Sequence, residues 1–583
     1  MKEFRTYCKK NLTFALILII GTIIALTIRI AYLMIFEADR YGIMAKQVHE
    51  RERKIKAARG IIYDRNGQAL ASNKSVCTIS VIHNQIKDED KVVRVLSELL
   101  NINEEEIRKK VQKKSSMEKI KSNVDKKTGD AIREYNLLGV MVDEDYKRQY
   151  PYDELASKVI GFTGSDNQGI VGLEVEYEKY LRGTDGIIYT VTTAAGEEVE
   201  NARSDRLEPV NGYNLYTSLD INIQKYAQQI AKKVCEEKSA KSVKLIVMNP
   251  QNGELYAMVN YPEYNLNNPY ELNYSISEDT TSEEKNKLLN EMWRNACISD
   301  TYEPGSTFKI ITSMAALEEK VVKTGDTFNC PGFRIVEDRR IRCHKVTGHG
   351  TETFVQGVMN SCNPVFMDIA SRVGPENMYK YYKNVGLFQT TGVDVPGEAN
   401  SIMHKLEDIG AVELATMSFG QSFQITPLQL LRAASAVING GTLVPPHFGI
   451  KVVDADDKTI KSIKTSTTDG TVSQETSQTM REILEKVVSE GTGSKGQVEG
   501  YAVGGKTATS QKLPRGNGKY ISSFIGFAPA DNPQVIAIVL IDEPVGIYYG
   551  GTIAAPVISD LYKNILPYLN IPKDENKNND KEN

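Results

Sequence analysis

Three short stretches, far apart in the chain but in one order, constrain it more than any other feature. They are Ser306-Thr307-Phe308-Lys309, Ser361-Cys362-Asn363 and Lys506-Thr507-Ala508-Thr509. Together they read as an acyl-transfer site: a serine nucleophile, a lysine base, and a lysine-threonine strand for an anionic substrate. The reading requires a fold that carries Ser361, Asn363 and Lys506 to the Ser306 hydroxyl. Taken singly, Ser306 reads equally well as a helix cap, Ser361 and Asn363 as loop polars, and Lys506-Thr507 as surface strand. Their joint occurrence, each in a suitable local context, makes coincidence a poor explanation.

Pro304-Gly305-Ser306 turns the chain into an apolar helix containing Ile310, Ile311, Met314, Ala315 and Leu317. Ser306 and Lys309 are three apart and so share a face of its first turn. A serine hydroxyl needs a base, and a lysine serves only when burial or a neighbouring cation lowers its pKa. The apolar helix supplies burial, and Lys506 can supply the second positive charge. Ser361 can pass the proton to a leaving amine, and Asn363 can hydrogen-bond a substrate amide. Thr507 and Thr509, with Lys506, are the candidate carboxylate-binding groups on an edge strand. A backbone N–H of that strand completes an oxyanion hole with that of Ser306.

The N-terminus adds location. Residues 12–28 are uncharged and mostly apolar, Arg29 interrupts, and 30–36 continue the run. This is the lower edge of membrane-spanning length, with Arg29 free to snorkel. Lys2, Arg5, Lys9 and Lys10 precede it, which keeps residues 1–11 in the cytoplasm and places the chain beyond the 12–36 anchor outside the cell. No convincing small-residue cleavage site comes after it, so the run reads as an uncleaved single-pass anchor. The formal net charge of -4 gives no global reason to expect nucleic acid as a partner.

Residues 58–67 contain two strand residues, Ile61 and Ile62, before an Asn66-Gly67 turn, a hairpin signal. Residues 90–135 read as short charged helices, with the Lys- and Glu-rich stretch 104–127 a solvated helix face. Gly169, Gly172, Gly183 and Gly186 punctuate a helix and turns. A second domain is expected from residue 211, with a strand over 213–219, a helix over 220–234 and a hairpin about Asn252-Gly253. Thr426-Pro427-Leu428-Gln429 predicts a capped helix that stops at Asn439-Gly440-Gly441. The polar end, 572–583, is expected to be a disordered tail.

At these residues the chain resembles the class B penicillin-binding proteins, the monofunctional peptidoglycan D,D-transpeptidases. The likeness includes Arg59-Gly60 with Asp64-Arg65-Asn66-Gly67, Gly172-Leu173-Glu174, Trp293-Arg294-Asn295, Tyr302-Glu303-Pro304-Gly305-Ser306 and Ser418-Phe419-Gly420-Gln421. The resemblance implies an α+β molecule: a transmembrane helix, a mixed α/β pedestal over 41–205, and a transpeptidase domain over 211–565 with an antiparallel sheet flanked by helices. It implies that Ser306 attacks the penultimate D-Ala of a stem peptide, that no cofactor is required, that β-lactams trap the serine, and that a polytopic glycan polymerase works alongside. One residue departs from the family pattern: Ala508 stands where glycine is usual in Lys-Thr-Gly, which narrows the cleft and suggests slow acylation by bulky β-lactams. That departure keeps open a scaffold or β-lactam sensor. A D,D-carboxypeptidase or β-lactamase is a further alternative, the latter disfavoured because a diffusible enzyme needs neither anchor nor pedestal.

Of seven cysteines, Cys77, Cys235, Cys297 and Cys362 look scattered, and Cys8 falls on the cytoplasmic side. Cys330 and Cys343 look like a local pair, and His344 and His349 lie close after them. Two thiolates and an imidazole suit a structural zinc, with Asp300 or His344 as a possible fourth ligand, although the spacing is no standard finger. Some relatives in the family resemble zinc enzymes with a cysteine-bearing site here. A Cys330–Cys343 disulfide and unpaired thiols are the rivals.

Overall fold

The computed structural model describes residues 2–41, 50–114, 117–191, 205–277 and 279–574. Of the expected tail, 575–583 lie outside the described residues. The apolar N-terminal run forms helix α1 (Lys2–Ile35), in which Lys10–Ile35 is long and apolar enough to cross a membrane. Leu16, Ile19 and Ile23 on it are more than half exposed, unlike the apolar stripe of a soluble core helix.

The chain divides into two compact units. The first comprises 1–58, 74–147 and 184–211. Its core packs Val92, Val93 and Leu96 of helix Glu89–Leu100 and Ile107 and Val111 of helix Glu104–Val111 with Cys77, Ile79, Ile120 and Val124. Asp88 and Asn103 cap the two helices by accepting backbone N–H groups. The stretch expected to be helical throughout is interrupted: Glu118–Asp125 is a strand, paired antiparallel with the segment containing Val76–Val81. Ile120 and Val124 point inward from it while Lys119 and Lys121 face water.

The second unit comprises 59–73, 148–183 and 212–583. It opens with the hairpin expected at Asn66-Gly67. Gly67 adopts φ +81°, and the Asp64 carboxylate accepts the N–H groups of Asn66 and Gln68 at 2.8 Å each. Arg59 and Glu174 form a wholly buried ion pair, Nε to Oε2 2.6 Å. Arg148 Nε reaches the other Glu174 oxygen at 2.7 Å, and Arg59 Nη1 reaches Glu178 at 2.7 Å. Burial works to raise the Glu174 carboxyl, but Arg148 and Arg59 outweigh it and hold it below its ordinary value.

The centre of this unit is a five-stranded antiparallel sheet. Its strands are β1 (Ser242–Met248), β2 (Leu255–Tyr261), β3 (Gly504–Gln511), β4 (Tyr520–Ala528) and β5 (Val535–Asp542), in the order β2-β1-β5-β4-β3. Strand β3 is therefore an edge. Successive side chains of a strand point to opposite faces, and both faces here are covered. Val535, Ala537, Val539 and Ile541 pack with helices α2 (Ile221–Glu237) and α5 (Ala555–Tyr568), through Ala227, Leu561 and Ile565. Ile536, Ile538 and Leu540 face a cluster containing Ile310, Ile311 and Met314 of α3 (Lys309–Glu318) and Phe366 of α4 (Asn363–Val373). Asp220 caps α2, and Thr426 with Gln429 forms the expected capping box on Pro427–Ile438.

Candidate active site

Ser306 does not sit in α3 itself but in a single 3₁₀ turn, Gly305–Phe308, that runs into it. Gly305 has φ +60° and its N–H bonds to Gly420 O at 2.9 Å. A Cβ at Gly305 would lie 2.3 Å from Ser510 Oγ, so only glycine lets the turn approach β3 this closely. The Ala508 methyl faces the same bare carbon, 3.5 Å from where that Cβ would stand. Alternation along β3 thus turns Ala508 and Ser510 toward the nucleophile turn. Thr507 and Thr509 alternate with these and also line the cleft: Thr507 Oγ1 bonds to Thr492 Oγ1 at 3.3 Å, and Thr509 Oγ1 accepts Gly550 N–H at 2.9 Å.

Lys309 is fully buried, and its amine has three acceptors: Ser361 O at 2.7 Å, Ser361 Oγ at 3.2 Å and Asn363 Oδ1 at 2.8 Å. The Phe366 ring lies 5.0 Å from the same nitrogen. Burial pulls the Lys309 amine down to about 8, against weaker opposing pulls from Cys362, Cys343 and Glu352. Ser361 holds a left-handed φ of +53°, uncommon for a residue with a side chain. Asn363 is the first residue of α4 rather than part of a loop, and its Nδ2 donates to Arg342 O at 3.2 Å. The amide is therefore held at both ends.

Lys506 is also fully buried; its amine reaches Thr507 O at 3.4 Å. Burial, and then Lys309, drive it well below its ordinary value. Burial, not a neighbouring cation, is thus what lowers Lys309.

A cleft of about 760 Å³ opens over these groups, lined by Ser306, Ser361, Asn363, Thr507, Ala508 and Thr509 among others. Gln421 of the Ser418-Phe419-Gly420-Gln421 segment also lines it, as do Thr492 and Tyr549, which sequence reasoning did not single out.

Beside the cleft, Cys330, Cys343, Cys362 and His349 bring four potential ligand atoms within 4.8 Å of one another. Cys362, the middle residue of Ser361-Cys362-Asn363, is the partner that the sequence reading left among the scattered cysteines. Asp300 is instead paired with Arg294 at 2.8 Å, and His344 Nδ1 stands 3.8 Å from Cys343 Sγ without joining the tight set. Cys330 and Cys343 are free thiols, not a disulfide. The Cys362 thiol draws the Cys343 thiol down, and Cys362 itself is raised in return. A tetrahedral zinc would space thiolate sulfurs about 3.8 Å apart. Three sulfurs, an imidazole and near-complete burial fit such an ion.

The turn presenting Ser306, two buried amines and an edge strand on an antiparallel sheet are the parts an acyl-transfer site requires. Comparison with known proteins agrees. Residues 244–563 match the family described as Penicillin binding protein transpeptidase domain, and 54–217 match Penicillin-binding Protein dimerisation domain. The chain is 37% identical to Stage V sporulation protein D of Bacillus subtilis, over 99% of this chain and 88% of that one. It is 31% identical to the probable peptidoglycan D,D-transpeptidase PenA of Neisseria meningitidis, over 89% and 86%. The fold superimposes on Penicillin Binding Protein 2X of Streptococcus thermophilus with a TM-score of 0.74 at 22% identity, covering 89% of this chain and 80% of that one. The chain belongs to the class B penicillin-binding proteins, and its activity is that family's transpeptidation.

Proposed function

We propose that this transpeptidase is a membrane-anchored enzyme that cross-links peptidoglycan through an acyl-enzyme on Ser306. The observation that carries the reading is the buried Lys309 amine, placed on the turn that presents Ser306 and bonded to both Ser361 and Asn363. Neutral Lys309 takes the Ser306 proton as Oγ attacks the carbonyl of the penultimate D-Ala. The tetrahedral oxyanion is held by the Ser306 N–H and a backbone N–H of β3. The bond to the last D-Ala then breaks, and the proton passes through Ser361 Oγ to the departing amine. Thr507 and Thr509 hold the terminal carboxylate. An amine of a neighbouring strand attacks the ester and restores the Ser306 hydroxyl. A β-lactam acylates the same oxygen, but its leaving amine stays tethered and blocks the second step.

Lys2, Arg5, Lys9 and Lys10, ahead of the apolar run, favour a cytoplasmic N-terminus and an external catalytic unit, where stem peptides are found. A polytopic glycan polymerase is the expected neighbour, since cross-linking consumes freshly made strands.

The zinc is part of the same proposal. Cys330, Cys343, Cys362 and His349 would hold it with no position left for substrate, so it would be structural and would tie Ser361 and Asn363 to the segment containing Cys343. The purified full chain is expected to carry about one equivalent of zinc, and Cys343→Ser to lose it together with thermal stability; a full chain without zinc, or a variant that melts like its parent, contradicts this.

Fluorescent penicillin tests the reading. Label should attach to the unaltered chain and be lost in Ser306→Ala. Product analysis with a D-Ala-D-Ala donor and an acceptor amine should then show transfer over hydrolysis. A hydrolysis product alone would favour a carboxypeptidase, and label without either product a sensor.

A further inference from the structure

The chain as a whole is slightly acidic, with 75 Asp and Glu against 71 Lys and Arg. Its cleft is not. Among the described residues no aspartate or glutamate lines it, whereas Lys345 and Lys495 both do. Both lysines are exposed, and neither has a carboxylate partner among the described residues. They belong to two different segments of the chain. Lys495 lies in the turn Ser494–Gly496, three residues beyond Thr492, whose hydroxyl bonds to that of Thr507. Lys345 comes just after Arg342 and Cys343, the segment whose Arg342 carbonyl holds the Asn363 amide. Lys495 thus follows the partner of Thr507 in the chain, Lys345 follows the segment that holds Asn363, and all four line one cleft; in the reading above Thr507 meets the carboxyl end of a donor peptide and Asn363 the amide upstream.

We infer that the cleft is built for a donor with two anionic groups. One is the terminal D-Ala carboxylate, which Lys495 joins Thr507 in holding. The other is a free carboxylate on the side chain of the residue preceding the D-Ala pair, met by Lys345. The substrate class is thus a stem peptide whose diamino acid keeps its second carboxyl group, in preference to one in which that group is amidated or missing. The inference rests on the transpeptidase reading above and adds to it which stem the site selects. Unpaired lysines in an acid-free wall attract such a group without any desolvated pair, so the preference is modest and weakens with salt.

The test uses the full chain in detergent with two donor peptides that end in D-Ala-D-Ala and differ only in a carboxylate or a carboxamide on the third-residue side chain. Transfer to one acceptor amine gives kcat/KM for each. The ratio of acid to amide does not depend on the fraction of active enzyme. It should favour the acid by about three- to tenfold at low salt and fall as salt is raised. Lys345→Gln should bring it close to one, and Lys345→Arg should keep it. Equal use of the two donors by the unaltered chain overturns the inference, as does a ratio that survives Lys345→Gln. Failure to transfer from either donor would instead bring down the transpeptidase reading beneath it.

Discussion

In the proposed mechanism Lys309 decides when Ser306 can act as nucleophile. Its amine must be neutral to accept the Ser306 proton, and burial brings it to about 8. Acylation by benzylpenicillin should therefore rise with pH from 6 and level off above about 8, measured as a second-order rate by stopped-flow; a flat or falling limb contradicts the assignment. The sign comes from the base: protonated Lys309 cannot take a proton, so acid suppresses the reaction. Ala508 sets a different limit. Its methyl occupies the gap opposite Gly305, between the nucleophile turn and β3. Ala508→Gly should relax that contact and speed acylation by bulky cephalosporins by at least about threefold, with equal rates removing the idea.

At the level of elements, the contacts differ widely in what they contribute. The Thr426 capping box satisfies helix N–H groups locally, and Thr426→Ala should cost about 1 kcal/mol. Glu174→Ala leaves Arg59 and Arg148 buried without their carboxylate and should cost roughly 3–5 kcal/mol, a far larger drop in melting temperature by calorimetry. Comparable shifts for the two would contradict the ion cluster's role. Because Glu174 is held below its ordinary pKa, its contribution is present at neutral pH and lost as acid protonates it. Legibility divided in the same way between local and distant causes. The Thr426 box and the Asn66-Gly67 hairpin were readable because their partners lie within four residues. Glu118–Asp125 was not, because its two inward residues, Ile120 and Val124, are spaced four apart, a spacing that fits a helix face as well as a strand. Asn363 was read as loop because Pro364 comes next, yet proline belongs in a first helical turn. Cys362 could be placed with Cys330 and Cys343 only by the fold.

For the whole molecule, the three motifs converge because the sheet order puts β3 at an edge, where the nucleophile turn packs beside it and α4 starts within reach of Lys309. The motif order in the sequence announced the site; the burial of both lysines, which makes it work, needed the two packed faces of the sheet. In the proposed reaction one hydroxyl, Ser306 Oγ, is the acyl acceptor. Intact mass spectrometry of the full chain after exposure to benzylpenicillin, combined with peptide mapping, tests it most directly. The expected result is a single penicilloyl adduct on the peptide containing Ser306, absent in Ser306→Ala. An adduct mapped to another residue, or one that persists in the variant, would contradict it.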